Sequence, residues 1–117
     1  MRTPAGDEPE AAALRLTTSL VDGIAVITVE GFLDATRREQ FAEYLSQAGP
    51  SMILDLSGVT FMDSRALGLL IHHWKASQAA GGRFALIGVD YTRARILWIT
   101  GLAKVLPLYD SLDEALA

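Results

Sequence analysis

Residues 52–82 read MILDLSGVTFMDSRALGLLIHHWKASQAAGG. Met52-Ile53-Leu54-Asp55-Leu56 is a short apolar run that reads as a buried strand. Ser57-Gly58 breaks it, and Val59 to Met62 form a short link. From Ser64 to Ala80 the period changes. Leu67, Leu70, Ile71 and Trp74 recur at helical spacing, and Gly81-Gly82 stops the helix. A buried strand, a turn and an amphipathic helix make one unit of a parallel α/β sheet.

The flanks repeat the pattern. Upstream, Ile24 to Val29 (IAVITV) is apolar and β-branched on both faces, as a central strand should be. Before it, Leu14 to Leu20 alternates, with Leu14, Leu16, Thr18 and Leu20 on one side. That is a half-buried edge strand, joined to its neighbour through the Val21-Asp22-Gly23 turn. Gly31-Phe32-Leu33-Asp34 ends the second strand, and Asp34 caps an amphipathic helix from Ala35 to Gln47, stopped by Gly49-Pro50. Downstream, Arg83 to Val89 is a strand. Asp90 caps a short helix in which Ala94, Leu97 and Trp98 face inward, and Gly101 closes it. Val105 to Leu108 make a last strand. Ser111 opens a C-terminal helix, with Glu114 completing a Ser-x-x-Glu capping box. Trp74 and Trp98 both read as core. The expected fold is a single α/β domain over residues 13–117. An N-terminal hairpin leads into β-α units, giving a mixed, mostly parallel sheet flanked by helices. Residues 1–12, with two prolines, a glycine and three acids, read as a flexible tail.

Composition narrows the function. The chain has 117 residues, enough for one domain, and half of them are hydrophobic. Ten Lys and Arg against fourteen Asp and Glu leave a net charge of −4, and the cations are scattered, which argues against nucleic acid as a partner. The absence of cysteine excludes thiol chemistry and fits a cytoplasmic location. No apolar run approaches the ~20 residues of a membrane-spanning helix, and nothing at the start resembles a signal peptide.

Three places could carry chemistry. Asp63-Ser64 opens a helix, where unpaired N–H groups favour an anion, although Asp and Ser are also ordinary caps. Ser64 as a hydrolase nucleophile fails: its neighbours include Met62 and Ala66 rather than glycines, and no histidine follows in the required order. His72-His73 are adjacent on a helix, about 100° apart, and cannot grip one metal ion. They read as a half-buried pair. Asp55 sits where a receiver domain carries its phospho-accepting aspartate, but the acidic pair and the late lysine of that class are missing. No catalytic residue, metal or cofactor is expected.

Leu54 to Gly68, Leu-Asp-Leu-Ser-Gly-Val-Thr-Phe-Met-Asp-Ser-Arg-Ala-Leu-Gly, closely resembles the central motif of the STAS domain family, of the anti-sigma-factor antagonist type. Gly31-Phe32-Leu33-Asp34 resembles its turn after the second strand. The stretch from Thr100 to Tyr109, followed by Ser-Leu-Asp-Glu-Ala, resembles its C-terminal end. The resemblance implies a partner-switching module that docks an anti-sigma factor which is also a Ser/Thr kinase. The contact residues it implies are Asp34, Met62, Asp63, Ser64, Arg65, Leu67 and Gly68. In the family, the kinase phosphorylates a hydroxyl at the second residue after the aspartate. Here that residue is Arg65, followed by Ala66 rather than glycine. Ser64 matches the neighbouring serine, which the resemblance makes a helix cap. The standard off-switch is thus absent, and Ser64 is the one hydroxyl left as a phosphorylation candidate. Similar domains also serve as soluble subunits of lipid-transport ABC complexes or as parts of stress-signalling scaffolds. Direct membrane insertion is not expected, and a homodimer is left open.

Overall fold

The computed structural model describes residues 14–117; the tail expected over residues 1–12 lies outside them. The strands are β1 (Arg15–Val21), β2 (Ile24–Leu33), β3 (Met52–Met62), β4 (Phe84–Ile87) and β5 (Leu108–Tyr109). The helices are α1 (Arg38–Ser46), α2 (Ser64–Ala79), α3 (Ile96–Ile99) and α4 (Leu112–Leu116). The strands lie in the order β1-β2-β3-β4-β5. β1 pairs antiparallel with β2, and the other neighbours are parallel. This is the expected hairpin followed by β-α units.

The apolar strands are buried from both sides. Ile27, Val29, Leu54 and Leu86 pack with Phe41 and Leu45 of α1, Leu67 and Leu70 of α2, and Leu97 of α3. The alternate residues Val26, Ile53, Ala85 and Ile87 form a smaller cluster with Ala115 of α4. Side chains alternate along a strand, so two covered faces require apolar residues at both parities. On the face toward α1, the edge strand β1 is covered only near its start. Leu14 is buried and Leu16 half-buried, whereas Leu20, expected inside, is 75% exposed. Cover from α1 reaches Leu14, whose carbonyl accepts from Gln40 Nε2, and Thr18, whose hydroxyl bonds that of Tyr44. Leu20 lies beyond those anchors.

The main correction concerns Ser57-Gly58. These residues do not end the strand; β3 runs from Met52 to Met62, and β2 likewise continues to Leu33. The pairing Thr28↔Asp55 is followed by Glu30↔Gly58, and Gly31↔Val59 by Phe32↔Phe61. Each step inserts one extra residue in β3, so two bulges replace the expected break. The Asp55 carboxylate holds the first, its Oδ1 accepting from the Ser57 amide at 3.0 Å and hydroxyl at 2.7 Å. One bulge flips the side-chain phase and the second restores it. Val59 and Met62 therefore face the core while Phe61 turns outward.

Helix ends follow their caps. The first turn of the expected 35–47 helix is 3-10 over Ala35–Arg37, and the α-helix starts at Arg38. α2 ends in a Schellman arrangement: the Gly82 amide bonds Ser77 O at 2.8 Å, the Gly81 amide bonds Gln78 O at 3.1 Å, and Gly81 is left-handed at φ 73°. At α4, Ser111 Oγ accepts from the Glu114 amide, but Glu114 Oε1 accepts from Asp110 N rather than from Ser111, so the capping box is shifted by one residue. β4 and β5 are shorter than or displaced from their expected spans, because Val105 is exposed and Leu106 alone of that segment is fully buried. Trp98 is a further correction. All four residues of α3 (ILWI) are apolar, and one short helix cannot turn all of them inward. Leu97 takes the core position, whereas Trp98 is 40% exposed. Trp74 is half-buried against the core.

Candidate partner-docking site

Parallel strands deliver their carboxyl ends to one edge of the sheet. β2, β3 and β4 each lead there into a loop that carries an aspartate. Asp34 Oδ1 accepts from the Thr36 amide at 3.1 Å and hydroxyl at 2.6 Å, and pairs with Arg37 at 3.3 Å. Asp63 Oδ1 accepts from the Arg65 and Ala66 amides at 3.0 Å each. Asp90 Oδ1 accepts from the Thr92 amide at 2.8 Å and hydroxyl at 2.6 Å. Short polar side chains favour such local bonds to backbone. Chiefly the Thr92 hydroxyl, then the Thr92 amide, holds the Asp90 carboxyl below its ordinary range. Each aspartate is thus spent on fixing its own loop.

Asp63, not Ser64, is therefore the N-cap of α2, which corrects the role implied for Ser64. The Asp63 amide also donates to Leu33 O at 3.1 Å, which ties the start of α2 to the end of β2, next to Asp34. Ser64 is left exposed at the first position of the helix.

Apart from Asp34, the residues expected at the contact surface fall on two clefts or in the core beneath them. Met62, Asp63 and Ser64 line a cleft of about 570 Å³, together with Phe61, Arg93, Arg95 and Ile99. Arg65 and Gly68 line a separate cleft between α1 and α2. Met62 and Leu67 are only 3% and 4% exposed. Their side chains are held in the core, so they support the edge more than they present it. Sequence reading missed Phe61, Ile99, Tyr91 and Trp98. Phe61 is 46% and Ile99 72% exposed, and the Phe61 ring lies 6.2 Å from that of Phe32. Trp98 stacks edge-on against Tyr91 at 5.1 Å. The signal was present in the unbroken ILWI run and in the adjacent Thr60-Phe61 pair, but it needed the bulge phase to be read. An exposed apolar patch of this kind, fringed by arginines, has the composition of a protein contact surface.

The rings of His72 and His73 meet edge to face at 5.1 Å; His72 is exposed and only His73 is half-buried. Burial, and then the neighbouring His72, lower the His73 pKa from its ordinary 6.5. Among the described residues, no group of three or more His, Asp or Glu could hold a metal ion, and no helix is long and apolar enough to cross a membrane.

Fold and edge together define a mixed α/β domain that presents a tightly capped helix start and an apolar rim at the carboxyl end of its sheet. The chain belongs to the STAS domain family, whose model matches residues 15–115. It is 28% identical, over 99 residues, to an anti-sigma F factor antagonist of Paenibacillus polymyxa, which covers 80% of this chain and 85% of the relative. Its fold matches the crystal structure of an anti-sigma factor antagonist from Mycobacterium paratuberculosis with a TM-score of 0.76 and 28% identity, covering 89% of this chain and 92% of that one. The Bacillus cell fate determinant SpoIIAA in its phosphorylated form matches with a TM-score of 0.66 and 25% identity, covering 87% and 94%.

Proposed function

We propose that this chain is a non-enzymatic regulatory module that docks an anti-sigma factor with Ser/Thr kinase character through the end of β3 and the start of α2. The exposed Phe61–Ile99 rim beside the Asp63-capped helix start carries this reading. Phe61 and Asp63 lie on the 54–68 segment through which the chain resembles the antagonists, and the rim gives a partner both an apolar anchor and a capped helix start. Arg65 stands where the family's phosphoacceptor hydroxyl would be, so the complex is not dissolved by phosphorylation at that position. A phosphoserine brings about −1.5 to −2 charges, and a guanidinium brings the opposite sign. Three groups form the contact: Phe61 and Ile99 as anchors, Ser64 and Arg65 as the polar rim, and Asp34 and Asp63 as the fixed supports behind them.

The test is binding of the purified chain to candidate anti-sigma kinases from its host, with and without ATP. Tight binding that ATP does not release is expected, and Phe61→Ala should weaken it by about 2 kcal/mol, the scale of an aromatic hot spot. Failure to bind any such kinase or anti-sigma protein would sink the proposal. Release by ATP with phosphate on Ser64 would remove its constitutive part.

A further inference from the structure

The cleft between α1 and α2 gathers positive charge in an acidic protein. It encloses about 700 Å³ and is lined by Arg38, Arg65, Ser46, Gly68, His72 and His73. Both histidines of the chain are there, and no carboxylate lines the cleft. Among the described residues neither the Arg38 nor the Arg65 guanidinium has a hydrogen-bond or ion-pair partner. Two unpartnered guanidinium groups and two imidazoles lining one cleft supply the charge and the donor types that bind a phosphate group.

The cleft also has a continuation. A recess of about 330 Å³ shares Ser46, His72 and His73 with it and extends to Ser77. Ser77 is 1% exposed, and its hydroxyl has no hydrogen-bond partner among the described residues. A buried unpaired hydroxyl costs stability, and a polar ligand would offset that cost. No Phe, Tyr or Trp lines either space, so a nucleobase finds no broad aromatic face on which to stack.

We propose that this cleft binds a small sugar phosphate or polyol phosphate, with the phosphate between Arg38, Arg65 and the His72–His73 pair, and the hydroxylated body directed along the recess toward Ser77. The site shares Arg65 with the proposed docking contact, but Arg38, His72 and His73 lie outside the Phe61–Ile99 rim, and no partner protein is needed to observe binding, so the two proposals fail separately.

The experiment follows the two imidazoles by NMR in the full chain at neutral pH, at constant ionic strength set with sodium chloride. The probes are inorganic phosphate, ribose 5-phosphate, ribose and adenosine monophosphate. Ribose 5-phosphate should shift both imidazoles saturably and bind more tightly than inorganic phosphate, while ribose alone does nothing. Arg38→Ala, at an exposed position that leaves the fold intact, should weaken both phosphates about tenfold or more. Ser77→Ala should remove the advantage of the ester over inorganic phosphate. The proposal fails if neither phosphate gives a saturable shift, or if the shift survives Arg38→Ala. If ribose 5-phosphate binds no better than inorganic phosphate, the assignment of the recess is wrong. If adenosine monophosphate binds more tightly than ribose 5-phosphate, the ligand class is wrong.

Discussion

Replacing Asp63 by alanine tests the anchor on which the docking edge depends. Asp63 Oδ1 accepts two amide hydrogen bonds, from Arg65 and Ala66, at 3.0 Å each. An N-cap of this kind contributes about 1 kcal/mol, within a range of about 0.5–2. Its negative charge at the N-terminus of the 16-residue α2 adds about 0.3–1 kcal/mol. Asp63→Ala should therefore cost about 1–2 kcal/mol. With a urea m-value of about 2 kcal/mol/M, the unfolding midpoint falls by about 0.5–1 M. Asp63→Asn keeps the acceptor and loses only the charge, so its loss should be limited to about 0.3–1 kcal/mol. Hydrogen exchange at the Arg65 and Ala66 amides should accelerate in the alanine variant and much less in the asparagine one. An alanine variant with wild-type stability would refute the reasoning, as would equal losses in the two variants, since the cap would then not be the operative contact.

Three further substitutions probe the frame. Gly82→Ala would bring a Cβ to 2.4 Å from Pro50 O and 2.8 Å from Pro50 C, against backbone that cannot rotate away; denaturation should show a loss of about 1–3 kcal/mol or more. Gly68→Ala, inside α2 with nothing within 4 Å of the added Cβ, should raise stability by about 0.5–1 kcal/mol in the same measurement. His73 has a folded pKa below the ordinary 6.5, so the unfolded chain binds more protons in the interval between the two values. Its contribution to stability is complete above pH 6.5 and is lost as pH falls through the folded pKa. Urea titrations on either side of that interval should show a shallower pH dependence in His73→Gln than in wild type.

What the sequence disclosed depended on how far each signal reaches along the chain. The α2 face of Leu67, Leu70 and Trp74 and the apolar β2 were legible because period and burial are local properties. The caps at Asp34 and Ser111 were legible for the same reason, since each bonds an amide only two or three residues on; Asp90 makes the same kind of local bond but closes a turn rather than capping α3, whose N-cap is Arg95, and at α2 Asp63 takes the cap role expected of Ser64. Ser57-Gly58 was misread because a bulge and a strand end use the same residue types; only the partner strand distinguishes them, by supplying one residue where β3 supplies two. The exposure of Phe61 follows from that bulge phase and was hidden with it. Trp98 and Leu20 went wrong because alternation and helical spacing say which residues share a face, not how far the covering helix extends. The Arg38–Arg65–His72 cleft could not be read at all, because its two helices meet only in the packed fold.

In the proposed docking role, the contact surface is intact while the phosphorylation switch is lost at position 65. Incubating wild type and Arg65→Ser with the same anti-sigma kinase and ATP, then mapping phosphate by mass spectrometry, tests it most directly. Wild type should stay unmodified and bound, whereas the variant should gain phosphate at position 65 and be released. Phosphate on wild-type Ser64 with loss of binding would contradict this role.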